Sequence, residues 1–246
     1  MGLRAKLRKK LLRSLLPPPV QVRHGEYSMI LSADDDPAQP SDRLFTAALQ
    51  GIEAARRVSL VPFYQTGRRF PAEADIWPGE NYKLLAGLVQ TLHPKQVVEV
   101  GTAEGVGAVI LKRFLPERSR ITTFDIKDWR DFRHPVFTEA DFADGRLVQH
   151  LEDLTDPAIF EKHRALLEAA DFFFLDGPKD GVMEPKLLKL FETVRFREPP
   201  LMVVDDIRLW NMLAVWRGII RPKLDLTSFG HWSGTGLIDW TPTPAA

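Results

Sequence analysis

The stretch Val97-Val98-Glu99-Val100-Gly101-Thr102-Ala103-Glu104-Gly105-Val106-Gly107 decides how this chain is read. Val97–Val100 is short and β-branched, which predicts a strand. From Val106 to about Phe114 the pattern is helical. Glycines between the two let the backbone turn tightly and approach a ligand closely. The helix start adds free N–H groups. The glycines stand at 101, 105 and 107, spaced four and then two apart. A dinucleotide fingerprint spaces them two and then three apart, so the pattern argues against one. An acid, Glu99, stands two residues before the first glycine.

Further apolar runs follow at Ile121–Phe124, Leu147–Leu151, Phe172–Leu175 and Leu201–Val204, separated by helical segments. Bounded runs of this kind predict β-α units and a parallel sheet buried on both faces. Leu224–Phe229 and Gly236–Trp240 flank a Gly/Ser/His stretch and predict an antiparallel hairpin. Upstream, helical patterns run over 41–58 and 79–93, with an irregular, aromatic-containing stretch at 59–78.

The chain has 246 residues, 44% hydrophobic and 27% charged, an ordinary globular profile. Lys+Arg and Asp+Glu are both 33, so there is no basic excess and nucleic acid is not expected as a partner. The absence of Cys excludes disulfides, thiolate zinc sites and Cys nucleophiles. No apolar run is long enough to cross a membrane. Residues 1–23 nevertheless carry seven Lys/Arg and no acid, with leucines at helical spacing until Pro17-Pro18-Pro19. Such a basic amphipathic helix can pack on its own domain or a dimer partner. It can also touch an anionic membrane surface through residues 1–16, or act as a targeting segment. The domain reading is a basic helix at 1–22, a helical and loop extension at 23–76, and a main domain at 77–246. The expected location is the cytoplasm, with peripheral membrane contact as the variant.

Strand ends carry the chemistry. Asp125 closes the second strand, 24 residues after Gly101. An acid there can accept from both hydroxyls of a ribose; a helix N-cap is the plainer role. Ile126 follows and can pack on an adenine face. After the third strand, Asp153, or else Glu152, can accept from an adenine amino group. The fourth strand ends in Asp176-Gly177-Pro178-Lys179-Asp180 and the fifth in Asp205-Asp206. Converging carboxylates repel one another, so a cluster of Asp176, Asp205 and Asp206 would favour a cation. Oxygen ligands suit Mg²⁺, Ca²⁺ or Mn²⁺. The bland alternatives are a solvated turn lysine at 179 and a cap plus a solvated acid at 205–206.

The form E-x-G-x-x-x-G resembles motif I of the class I S-adenosylmethionine (SAM) methyltransferases. Phe174-Leu175-Asp176-x-x-Lys179-Asp180 is similar to the metal-site strand of the cation-dependent, catechol O-methyltransferase-like branch. The resemblance covers roughly residues 77–240. It implies a Rossmann-like α/β fold: a central, mostly parallel seven-stranded sheet with a C-terminal antiparallel hairpin and helices on both faces. It implies SAM as cofactor, held by Glu99, Gly101, Thr102, Gly105, Asp125, Ile126, Asp153 and Asp176. It implies a divalent cation, Mg²⁺ or another, on Asp176, Asp205 and Asp206, with Lys179 as the base. Asp206 departs from the Asn usual in that branch. His231 is a second acid/base candidate, and His134, in the loop after the second strand, is another; a structural hydrogen bond is the plainer role for each. The reaction expected is O-methylation of a small molecule or sugar hydroxyl, and a homodimer is expected by analogy. Two alternatives remain open: an oxidoreductase on the same layout, and a methyltransferase-like binding protein.

Overall fold

A computed structural model describes residues 38–241. The N-terminal basic segment therefore lies outside the described residues. Helix α1 (Asp42–Ala55) starts at Ser41, whose side chain accepts from Leu44 N at 3.2 Å. A short α2 (Val61–Gln65) and α3 (Tyr82–Leu92) follow. The alternation continues as β1 (Gln96–Val100), α4 (Val106–Phe114), β2 (Arg120–Asp125) and β3 (Leu147–Leu151). After α5 (Pro157–Lys162) and α6 (Arg164–Ala169) come β4 (Phe172–Leu175), α7 (Met183–Phe191) and β5 (Leu201–Asp205). The chain closes with α8 (Met212–Gly218), β6 (Lys223–Asp225) and β7 (Thr235–Asp239).

The strands form one sheet in the order β3-β2-β1-β4-β5-β7-β6. The five from β3 to β5 run parallel, and β7 is antiparallel to both β5 and β6. The expected α/β architecture with its C-terminal hairpin is the one observed. Side chains alternate between faces, as strand geometry requires. Val97, Phe172, Phe174 and Val203 face one core, with α1, α3 and α4. Val98, Val100, Phe173, Leu175, Met202 and Val204 face the other, with α7 and α8. Both faces are apolar because both are covered.

Residues 38–76 join the first core rather than forming one of their own: Leu44, Leu60, Phe63 and Phe70 pack with Leu84 and Leu88. Helices α1 and α3 approach closely at Gly51 and Gly87, where a Cβ on Gly87 would stand 2.2 Å from the Gly51 carbonyl oxygen. Asp239 on β7 ties α1 down, accepting from Ser41 Oγ and Arg43 Nη1, both at 2.7 Å.

The strand order reverses direction between β1 and β4. Open α/β sheets bind ligands at that point, beyond the carboxyl ends of the strands. Gly101 sits there with φ 100°, and a Cβ on it would meet the Asp176 carbonyl oxygen at 1.9 Å. Only glycine lets the β1 turn pass the end of β4 this closely.

Candidate cofactor cavity and carboxylate cluster

A cavity of about 560 Å³ opens at this carboxyl edge. Gly101, Asp125, Ile126, Asp153 and Asp176 line it, together with Ala103, Phe132 and Met183. Asp125 caps no helix. Its Oδ2 accepts from Ala103 N and its Oδ1 from Lys127 N, both at 2.9 Å. Two backbone donors fix the carboxylate while leaving lone pairs free on both oxygens. Ala103 has φ 44°, a conformation that non-glycine residues occupy at a cost and that clusters at functional sites. Asp153 and Glu152 both border the cavity, and they differ in environment. Glu152 bonds Lys162 and His163, which hold its carboxyl down at about 2. Asp153 is engaged only locally, accepting from Thr155 N and Oγ1 at 2.8 Å.

Three expected cofactor residues do not line the cavity. Glu99 is 1% exposed and points from β1 into the core under α4. A Cβ on Gly107 would lie 2.3 Å from its Oε1, so Gly107 makes room for the acid. Thr123 Oγ1 donates to Glu99 Oε2 at 2.5 Å and contacts Thr102 Oγ1 at 2.6 Å. Thr102 is thus buried beside Glu99 rather than at the cavity. Gly105 opens α4 at φ 93°, backed by the Phe137 ring. Glu99, Thr102 and Gly105 build the turn from behind.

Burial pushes the Glu99 carboxyl well up, against the Thr123 hydrogen bond. The unfolded chain ionises it above its ordinary 4.5, while the fold keeps the proton. Its stability contribution is therefore complete below that value and is lost as pH rises toward the raised folded pKa. Glu99→Gln keeps the shape without the charge. The variant is expected to be at least as stable as the parent at pH 7 and to lose less stability between pH 4 and 8, read by urea denaturation across that range.

A second cluster lies beside the cavity. Lys179, 6% exposed with φ 60°, ion-pairs with Asp176 and lies 3.4 Å from Asp206 Oδ2. His231 Nδ1 is 3.3 Å from Asp206 Oδ1 and 3.5 Å from Asp205 Oδ1, and its Nε2 is 3.1 Å from Glu80 Oε2. Ser233 Oγ donates to Asp206 and contacts His231 Nδ1 at 2.7 Å. Asp206 has φ 58°. Neither bland alternative for these residues holds, because Lys179 and Asp205 are buried and Asp206 lies between two cations.

Burial alone would push the Lys179 ammonium down, but Asp176, Asp205 and Asp206 overcome it and hold it above the ordinary lysine value. The three carboxylates thus favour the ammonium form of Lys179. Burial also works against His231, yet Asp205, Asp206 and Glu80 push it up to about 12. Desolvation pushes Asp176 up to about 7, opposed by Lys179 and aided by Asp205 and Asp206. Asp206 ends below the ordinary range, because His231, Lys179 and Ser233 outweigh its burial. Four carboxylates face two cations, and Asp205 Oδ1 is buried without a hydrogen bond. That surplus charge fits a divalent cation, and Asp205 Oδ1 meets only His231 Nδ1, at 3.5 Å. The donor set differs from the one expected: Asp205, Asp206 and His231 each offer an atom within 4.8 Å of the others, whereas Asp176 turns to Lys179.

Glu80 and Ser233 escaped the sequence reading. Glu80 reaches the cluster because Gly79 bridges to His231 and Trp77 Nε1 donates to Phe229 O at 3.0 Å, contacts more than 150 residues apart in sequence. Trp216 is core, 4% exposed, and Trp210 is 41% exposed on the loop before α8. His134 sits outside the cluster, against Arg69.

No protein-family model matches the sequence, and no curated protein matches it. Solved structures do match. A methyltransferase from Geobacter sulfurreducens superposes with TM-score 0.50 at 14% identity, over 98% of this chain and 97% of that one. The chain has the methyltransferase fold. An SAH-bound methyltransferase from Podospora anserina gives TM-score 0.47 at 16% identity, over 80% and 88% of the two chains. MycE of the mycinamycin pathway, solved with Mg and SAH, gives 0.37 at 18%, over 48% and 31%. Among the described residues no helix is long and apolar enough to cross a membrane.

Proposed function

We propose that this chain is a SAM-dependent methyltransferase acting on a hydroxyl of a small molecule or sugar. The observation that carries the reading is Asp125. Its carboxylate is held by two backbone N–H groups at the rim of a cavity beside the strand-order reversal of a methyltransferase fold. SAM, when bound, supplies an electrophilic methyl group. Gly101, Asp125, Ile126 and Asp153 would hold it. Asp125 takes the ribose hydroxyls, Ile126 (79% exposed) covers an adenine face, and Asp153 takes the adenine amino group.

Transfer to oxygen needs in-line positioning and a place for the hydroxyl proton. Asp176 lines the cavity and is tuned to about 7, where a carboxylate exchanges protons readily. The Asp176–Lys179 pair receives the proton. Lys179 holds Asp176 in place as an ammonium, where the family resemblance implies a base. Asp205, Asp206 and His231 would hold a divalent cation, whose chemistry is to acidify a bound hydroxyl. To ligate such an ion, His231 would have to release its proton to solvent.

The test is transfer of labelled methyl from SAM to a panel of phenols and sugars, with Mg²⁺ or with EDTA. Label is expected on one acceptor class, with transfer slowed by EDTA and by Asp205→Asn. A chain that binds SAM yet labels nothing under either condition contradicts the proposal and favours a binding role.

A further inference from the structure

A second recess, about 540 Å³, borders the loop that follows β2. One wall is Thr66–Arg69, after α2; the other is Arg133–Thr138. Arg68 forms the back, and its guanidinium is already matched, fork to fork, by Asp141 at 2.8 and 2.9 Å. Arg69, Arg133 and His134 are exposed at the mouth. Arg69 Nη1 lies 2.6 Å from His134 Nδ1, so a guanidinium abuts an imidazole. Among the described residues no carboxylate pairs with Arg69 or Arg133. Arg57, Arg130 and Arg208, by contrast, hold Glu53, Glu139 and Asp225. Two loops thus bring three basic groups together without an anion to share.

The recess adjoins the cofactor cavity. Phe132 lines the cavity and the next residue, Arg133, lines the recess. Val136 N donates to Glu104 O at 2.8 Å, beside Ala103 of the cavity wall. A molecule anchored at Arg69 and Arg133 would therefore sit against the same turn that borders the cofactor cavity.

We propose that the recess binds a phosphoryl group, and that the methyl acceptor is a phosphorylated small molecule or glycan. The second half rests on the methyltransferase reading; the first does not. Guanidinium forks fit carboxylate and phosphate alike. A phosphate monoester presents three free oxygens and about two charges, so it can serve Arg69, Arg133 and His134 together. A carboxylate has only two oxygens to offer.

The test is calorimetric titration of inorganic phosphate and of pyrophosphate into the full chain in chloride buffer, with SAH titrated into the same preparations. Saturable millimolar or tighter phosphate binding is expected. It should weaken at least about tenfold in R69Q/R133Q and stay unchanged in R195Q, an exposed arginine elsewhere. SAH affinity should stay within about twofold of the parent throughout, which also shows that the variants fold. Equal phosphate binding by the parent and R69Q/R133Q, or no saturable binding, overturns the site. Flotation with phosphatidylglycerol vesicles, but not with phosphatidylcholine, lost in R69Q/R133Q and unaccompanied by free-phosphate binding, would also overturn it by assigning the arginines to a lipid surface. Phosphate binding without SAH binding would keep the site and sink only its assignment to a methyl acceptor.

Discussion

Asp125→Ala is expected to weaken SAH binding by about 10²–10³-fold, measured by calorimetry. Two ribose hydroxyls donating to one carboxylate make charge-assisted hydrogen bonds, each worth roughly 1.5–3 kcal/mol. Their joint loss, taken at the lower end as about 3–4 kcal/mol because water solvates both freed hydroxyls, converts to that range. The substitution also frees Ala103 N and Lys127 N, whose bonds to Asp125 at 2.9 Å hold the turn against the end of β2. Asp125→Asn keeps a side-chain acceptor and the shape but not the charge, so its loss should be intermediate. Affinity unchanged in Asp125→Ala would mean that the cavity does not hold a ribose there.

Lys179→Met is expected to destabilise the fold by about 3–5 kcal/mol at pH 8, read by urea denaturation. Removing one partner of a buried ion pair leaves the other charge uncompensated. Here Lys179, 6% exposed, is the cation between Asp176 and Asp206, so Met would fill its volume but not its charge. The pH dependence has a definite sign. Without the ammonium, Asp176, already pushed up to about 7, rises further. A carboxyl with a raised folded pKa contributes fully at low pH and loses stability as pH rises from its unfolded value. The deficit of Lys179→Met relative to the parent should therefore shrink toward pH 4 and grow toward pH 8. Added Mg²⁺ should recover part of the loss, because an ion bound only by the folded state stabilises it by mass action. A deficit independent of pH would show that Lys179 acts through packing alone.

The sheet was legible in the sequence because its cause is local. Runs such as Phe172–Leu175 and Leu201–Val204 are apolar at every position, and strands covered on both faces require that. The hairpin was legible from its turn residues, but its first strand is only Lys223–Asp225, because Thr227–Phe229 of the expected Leu224–Phe229 run forms a 3-10 turn. Asp125 and Asp176 could be placed because a strand's last residue must reach the sheet edge. What spacing does not carry is burial. The family resemblance makes Lys179 a base, and only the fold shows three carboxylates around it. Glu99 stands where a ligand-binding acid is expected, yet the period of the strand turns it to the core face. Glu80 has no motif at all. It joins His231 through contacts between segments far apart in sequence, which no local pattern records.

The central claim is that the cavity at Gly101 and Asp125 takes S-adenosylmethionine. Calorimetric titration of SAM into the full chain, with NAD as comparator, tests it most directly. The account predicts a micromolar dissociation constant for SAM and no measurable heat for NAD. No binding of SAM, or binding of NAD as tight as that of SAM, would contradict it.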